Sequence, residues 1–390
     1  MSGAILGARI LTPNESIETG TVVFDDEGRI TYAGPATETP PSAEITKASG
    51  LTLAPGFIDL HVHGGGGFSL ATKDSAEIES YARWVVAHGV TSFLPTICAE
   101  GIDQGLEFVR TAAQATGPVE GGANVLGVNL EGPFVSRKRR GALPKGWPAE
   151  PALHLADRLI EASGGTLRLV TVAPEVKGAD AVMERLLGQG VVVSVGHTDA
   201  TYEDALGAFR SGASHVTHAF NGMRSFHHRD PGPVLAAIDS LHATLEVIAD
   251  GVHLHPATVR AIVRAAGPER ITLVSDAVPP AGVGEGKFRL GNEEARLAGD
   301  RVLLPDGTIA GGAATVDTIV RNVVEWGVAR LSDAVRMAST TPARVLGLSD
   351  RKGRIAPGYG ADVVALDKRL QVAMTWVAGR LVFARAEHFN

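Results

Sequence analysis

The sequence predicts an α/β chain: a (β/α)8, or TIM, barrel over residues 55–349, carried by a small β domain that both chain ends build, 1–54 and 350–390. Three observations lead there. Eight β-rich runs alternate with helix-like segments through the middle of the chain. Five of those runs carry a candidate metal-site or catalytic imidazole or carboxylate at their end. Both termini are strand-rich and lack helical periodicity. Eight strands alternating with helices is the count that closes a parallel barrel. A doubly wound open sheet is the runner-up, disfavoured because no Gly-x-Gly-x-x-Gly follows the first run and opens a helix.

In chain order, residues 4–11, 20–24 and 30–32 are apolar or β-branched, and Asp25-Asp26-Glu27-Gly28 reads as a turn. The eight runs follow at 56–63, 90–98, 124–131, 167–174, 191–197, 213–218, 244–250 and 271–276. Between them, 76–87 places Ile78, Tyr81, Ala82 and Val85 at helical spacing, and 179–187 has the same period. A hairpin insertion is expected over 287–309 and a helical region over 316–346. Strands at 361–367 and 376–382 then return to the β domain.

Composition narrows the function classes. Hydrophobic residues are 44% and charged residues 20%, enough apolar material for a large soluble core. The net charge of −7 carries no nucleic-acid footprint, so an anionic ligand needs a local cluster to hold it. The basic run Arg137, Lys138, Arg139 and Arg140 reads as a solvated loop. The single cysteine, Cys98, excludes a disulfide within the chain and reads as a small strand-end residue. No signal-peptide pattern and no apolar stretch of ~20 residues is present. The expectation is a cytoplasmic protein without nucleic-acid or membrane partners.

Barrel enzymes place their chemistry at the carboxyl ends of the strands. Here those ends carry His61 and His63, Glu131, His197, His218 and Asp276. His61 and His63 are two apart in a strand and so face one side. Taken singly, each histidine is as readily a core or surface residue; taken together, all six fall where a barrel converges. Imidazole nitrogen and carboxylate oxygen suit zinc, with iron or manganese as alternatives. Glu131, His197 and His218 make a three-ligand set with an open position. His61, His63 and a bridging carboxylate can hold a second ion, giving one or two ions per chain. Asp276 is the expected general acid/base of a hydrolysis, with a purely ligating role as the alternative.

These residues lie in segments that resemble the amidohydrolase superfamily and, within it, the N-acetylglucosamine-6-phosphate deacetylases. The similarity runs through Pro55-Gly56-Phe57-Ile58-Asp59-Leu60-His61-Val62-His63, Glu131-Gly132-Pro133-Phe134 and Gly196-His197-Thr198-Asp199. It continues in His218-Ala219-Phe220-Asn221-Gly222, Asp250-Gly251-Val252-His253 and Ser275-Asp276-Ala277. The resemblance implies a β-sandwich-like terminal domain, metal ligation by Glu131, His197 and His218, and Asp276 as acid/base. It also implies a homodimer and removal of acetate from N-acetylglucosamine 6-phosphate. Asn221, the backbone N–H of Gly222, Arg229 and His253 are the expected substrate-binding groups, since amide, guanidinium and imidazole donors suit phosphate and sugar hydroxyls.

One departure bears on substrate choice. The loop that in relatives reads Gly-Ala-His reads Gly141-Ala142-Leu143 here, and leucine cannot donate a hydrogen bond. A second lies at Gly311-Gly312-Ala313-Ala314, where relatives carry Gly-Ser. Two other readings therefore stay open: a deacetylase for another N-acyl amino sugar, such as N-acetylgalactosamine 6-phosphate or an unphosphorylated sugar, and a non-catalytic sugar-phosphate binder.

Overall fold

The eight β-rich runs become eight parallel strands in the computed structural model, which describes residues 2–12, 15–36 and 44–386. They are β1 (Phe57–Val62), β2 (Val90–Ile97), β3 (Val128–Leu130), β4 (Leu167–Val172), β5 (Val192–Val195), β6 (His215–Val216), β7 (Thr244–Val247) and β8 (Ile271–Leu273). Each pairs in parallel with the next, from β1 against β2 to β7 against β8. Every residue of β1, β2 and β7 is buried, as expected where helices cover the outside of a parallel sheet.

The ring closes between β8 and β1 through the segment after β8. Asp276 N donates to His61 O at 2.9 Å, and His63 N to Ala277 O at 2.8 Å. Buried Asp59 accepts from Ser275 N at 3.3 Å and from Ser275 Oγ at 2.5 Å.

Run 124–131 does not stay continuous. Asn124–Val125 pairs with β2, Gly127 turns at φ 139°, and β3 resumes at Val128. Only glycine takes that angle without strain. The helix expected over 76–87 is Ser75–Val85, capped by Asp74, whose side chain accepts from Ala76 N; Ile78, Tyr81, Ala82 and Val85 face inward. The region 316–346 forms three helices, Val316–Glu325, Leu331–Ala338 and Thr340–Val345.

The expected hairpin at 287–309 is a four-stranded antiparallel sheet, Gly286–Leu290, Glu293–Ala298, Arg301–Leu303 and Ile309–Gly312. Its own small core contains Val278, Ala295, Leu297 and Val302. The tip of its first turn reaches over the barrel, where Asn292 N donates to Glu100 Oε1 at 2.8 Å.

Both termini contribute to one eight-stranded sheet. Thr52–Pro55 lies between Gly3–Leu11 from the N-terminal side and Val363–Leu366 from the C-terminal side. Ile5, Ile10, Val22, Leu53, Val363 and Trp376 fill its core. Among the described residues, no helix is long and apolar enough to cross a membrane.

Candidate active site

The six strand-end residues meet at one point. His197 Nε2 and His218 Nε2 lie 2.8 and 2.9 Å from Glu131 Oε1, and 3.1 Å from each other. His61 Nε2 is 3.4 Å from the same oxygen, and His63 Nε2 is 3.3 Å from Glu131 Oε2. Asp276 Oδ1 is 3.6 Å from His61 Nε2 and 3.3 Å from His63 Nε2. Its other oxygen lies 3.6 Å from His253 Nε2.

The backbone is bent to achieve this. His197, His218 and Asp276 sit just past β5, β6 and β8 at φ 45°, 25° and 47°, the left-handed region that non-glycine residues rarely enter. Such residues cost of order 1–3 kcal/mol each and persist only where their surroundings fix them. Gly222 packs against this bend; a Cβ there would lie 2.8 Å from His197 Nδ1.

In four of the rings the far side decides what the near side can do; the fifth, His218, has a buried Nδ1 with no hydrogen-bond partner. His61 Nδ1 faces Glu246 Oε2 at 2.9 Å, His63 Nδ1 faces Thr96 O at 3.2 Å, and His197 Nδ1 faces Arg139 O at 2.9 Å. His253 Nδ1 faces Asp250 Oδ2 at 2.7 Å. Carbonyl and carboxylate oxygens only accept, so each Nδ1 carries the proton. In the neutral ring each Nε2 is then a bare lone pair, and these lone pairs converge on carboxylate oxygens and on one another. His61 Nε2 is fully buried with no hydrogen-bond partner.

Lone pairs gathered this way repel unless a cation stands among them. A cation at ~2.0–2.1 Å from each ligand sets tetrahedral ligand atoms ~3.3 Å apart, close to the separations found. The anchoring of the distal nitrogen to an oxygen is the pattern that orients metal-binding histidines. His61, Glu131 and His218 form one group able to hold an ion, and His61, His63 and Asp276 another. The residues present therefore fit a divalent metal.

The electrostatics agree. Burial opposes the charge on Glu131 most strongly, yet His197 and His61 hold its carboxyl well below the usual range. Burial likewise opposes the charge on Asp276, and His63, His61 and His253 outweigh it to keep that carboxyl low. His61 is the mirror case: burial disfavours its charge, while Glu246 and Glu131 raise its pKa well above the ordinary imidazole value, so the carboxylates call for positive charge at the ring, a proton or a metal ion.

Above the cluster is a cavity of about 540 Å³, within the usual range for a small-molecule site. Asn221, Gly222 and His253 line it, as do Leu143, Arg289 and Ile309. Asn221 Nδ2 is engaged with His218 O at 3.2 Å. Of the expected substrate-binding residues, Arg229 does not line the cavity; it is exposed on a loop with its Nη1 2.8 Å from His228 Nε2. The basic run is only partly a solvated loop. Arg137 and Lys138 are exposed, but Lys138 Nζ and Arg139 Nε bind Asp199 at 2.5 and 2.7 Å, and Arg140 Nη1 donates to Leu143 O at 2.6 Å.

Several residues at the site were given no role by the sequence reading. Glu246, Asp250 and Trp147 all support residues named above; Trp147 is fully buried and its Nε1 donates to Glu131 O at 2.6 Å. A carboxylate inside an otherwise apolar strand is the one signal that could have marked Glu246.

Known proteins match this arrangement. Residues 52–382 match the amidohydrolase family. The chain is 38% identical to the N-acetylgalactosamine-6-phosphate deacetylase of Escherichia coli O157:H7, covering 88% of this chain and 90% of that protein. It is 37% identical to the N-acetylglucosamine-6-phosphate deacetylase of Bos taurus, covering 97% and 90%. A variant N-acetyl-D-glucosamine-6-phosphate deacetylase from Mycobacterium smegmatis, solved with N-acetyl-D-glucosamine-6-phosphate, superimposes with a TM-score of 0.91 at 34% identity, covering 98% of this chain and all of that one. With the barrel, the strand-end cluster and these likenesses together, the chain belongs to the amidohydrolase family, in the group of the N-acetylglucosamine-6-phosphate deacetylases.

Proposed function

We propose that this chain removes acetate from N-acetylglucosamine 6-phosphate, leaving glucosamine 6-phosphate. The observation that carries this reading is the convergence of imidazole lone pairs on Glu131 with Asp276 at their edge. Glu131, His197 and His218 hold one divalent ion, and His61 and His63 serve a second. Zinc is the ion we assign, because the donors are imidazole and carboxylate. Such an ion, when bound, lowers the pKa of water toward ~7 and polarises a carbonyl.

The protein's own groups do the rest. Asp276 is ionised and faces both the histidine cluster and the cavity. It accepts the proton of the attacking water as the water oxygen bonds to the acetyl carbon. It then delivers that proton to the nitrogen as the C–N bond breaks. His253, fixed by Asp250, orients Asp276 and the acetyl group. Asn221 and the Gly222 N–H bind sugar and phosphate oxygens. Arg229, on an exposed loop outside this chain's own cavity, supplies a cation to a phosphate only across the dimer. That loop also exposes Phe226 at 57%, which supports a homodimer in which it meets the partner subunit. We place the enzyme in the cytoplasm.

Acetate release from N-acetylglucosamine 6-phosphate by fully metallated protein tests the reading; no turnover overturns it. A second reading, N-acetylgalactosamine 6-phosphate as substrate, is favoured by Leu143, which presents a buried alkyl side chain to the cavity. The ratio of kcat/KM for the two sugars decides between them, and the unphosphorylated sugar should lose most of the efficiency. A non-catalytic binder is disfavoured because binding alone gives no reason to hold Asp276 at a strained φ beside the cluster.

A further inference from the structure

Cys98 brings the chain's only thiol to the same cluster. It follows directly on β2, is half-buried and lines the cavity. Its Sγ, a ring nitrogen of His63 and a carboxylate oxygen of Glu131 all lie within 4.8 Å of one another. A strand-end packing residue would turn its sulfur toward aliphatic neighbours; this one shares its space with a histidine and a carboxylate.

A second observation lies on the adjoining side of Glu131, whose other oxygen meets His63. His61 Nε2 is fully buried and unpartnered, and it faces Glu131 Oε1 at 3.4 Å and Asp276 Oδ1 at 3.6 Å. Leu143 lines the cavity with an alkyl side chain, so polarisation of an acyl carbonyl has to come from elsewhere.

We propose that Cys98 is a thiolate ligand of a second divalent ion, bound with His63 and with Glu131 as the bridging carboxylate. This rests on the metal-hydrolase reading above and goes beyond it by assigning a sulfur donor. Ion–sulfur and ion–nitrogen distances of ~2.3 and ~2.0–2.1 Å set co-ligands about 3.6 Å apart, inside the 4.8 Å limit of the group. Binding releases the S–H proton to solvent and involves no change of oxidation state. A thiolate makes this position softer than the Glu131–His197–His218 position, so it selects zinc over magnesium or manganese.

Metal-free protein titrated with cobalt(II) or cadmium(II) tests the assignment. Because Cys98 is the only cysteine, a thiolate-to-metal charge-transfer band in the near ultraviolet can arise from no other side chain. The expected result is two ions per chain with that band in the wild type. Cys98→Ala and Cys98→Ser should each bind one ion per chain and lose the band, with unchanged far-ultraviolet circular dichroism. Zinc should also slow iodoacetamide alkylation of wild-type Cys98 at least tenfold. Two ions without the band, or a second ion retained in Cys98→Ala, overturns the proposal. Acetate release by a one-ion, band-free wild type would overturn it and leave the hydrolase reading standing; failure of metal uptake together with failure of turnover would overturn both.

Discussion

His61 Nδ1 lies 2.9 Å from Glu246 Oε2, and both side chains are wholly buried. The same oxygen accepts from His218 N at 2.9 Å, and Glu246 Oε1 meets His215 Nε2 at 3.2 Å. One carboxylate thus ties β1, β6 and β7 together behind the metal-facing nitrogens. Burial resists its charge, but His61 and His215 hold the carboxyl far below the ordinary range. Glu246→Gln keeps the shape and removes the charge. Metal affinity should fall 10–100-fold, as for other groups that orient ligating histidines, measured by competition with a chromophoric chelator. Unchanged affinity would remove Glu246 from any supporting role.

Asp276→Asn should lower kcat by on the order of 10²–10⁴, the usual contribution of a positioned acid/base. Metal content should stay at the wild-type level by elemental analysis. Wild-type turnover in this variant would show that another group moves the proton.

The positions of these residues were legible because a barrel makes strand ends converge, and His61, Glu131, His197, His218 and Asp276 each follow a recognisable β run. Their supports were not. Glu246 sits mid-strand in Thr244–Val247, where alternation makes a lone carboxylate look solvent-facing. Trp147 reaches Glu131 O only through the fold of the loop between them. Cys98 read as packing because its neighbours in sequence are apolar, while its neighbours in space come from β1 and β3. The insertion read as a hairpin because its last strand, Ile309–Gly312, ends in glycines that look like a turn. Arg229 was chosen by resemblance, and one chain alone leaves it outside the cavity.

Trp147→Phe deletes the indole donor and leaves the buried Glu131 carbonyl without its partner. The cost should be ~1–3 kcal/mol of stability, seen as a lower denaturant midpoint with an unchanged slope. Metal should also dissociate faster, because that carbonyl belongs to the residue shared by the histidines.

Gly222→Ala would set a methyl group 2.8 Å from His197 Nδ1 at φ +57°. Both the contact and the angle oppose it, so the variant should lose metal affinity and turnover together in a chelator titration and an acetate assay. Gly207→Ala, within the helix Tyr202–Arg210 and with nothing within 4 Å of the new carbon, is the control. It should raise stability by ~0.4–1 kcal/mol and leave metal binding alone.

Burial pushes the Asp59 carboxyl up to about 7, against the hydrogen bonds from Ser275. A carboxyl with a raised folded pKa holds its proton longer in the folded chain than in the unfolded one. Its stabilising contribution is therefore complete below the ordinary carboxylate pKa of 3.8 and is lost as pH rises toward about 7. Asp59→Asn removes that titration. Plotted against pH, Tm of the variant minus Tm of the wild type should climb between pH 4 and 7; a flat difference would show that Asp59 ionises normally.

The seam between β8 and β1 has a consequence for how the molecule comes into being. The bond from Asp276 N to His61 O joins the first strand to the last and carries the acid to the imidazoles in the same stroke. A chain that stops before Ile271 lacks both β8 and Asp276, and so on the proposed mechanism it lacks the group that moves the proton. On that reading, turnover waits until the last strand is laid against the first.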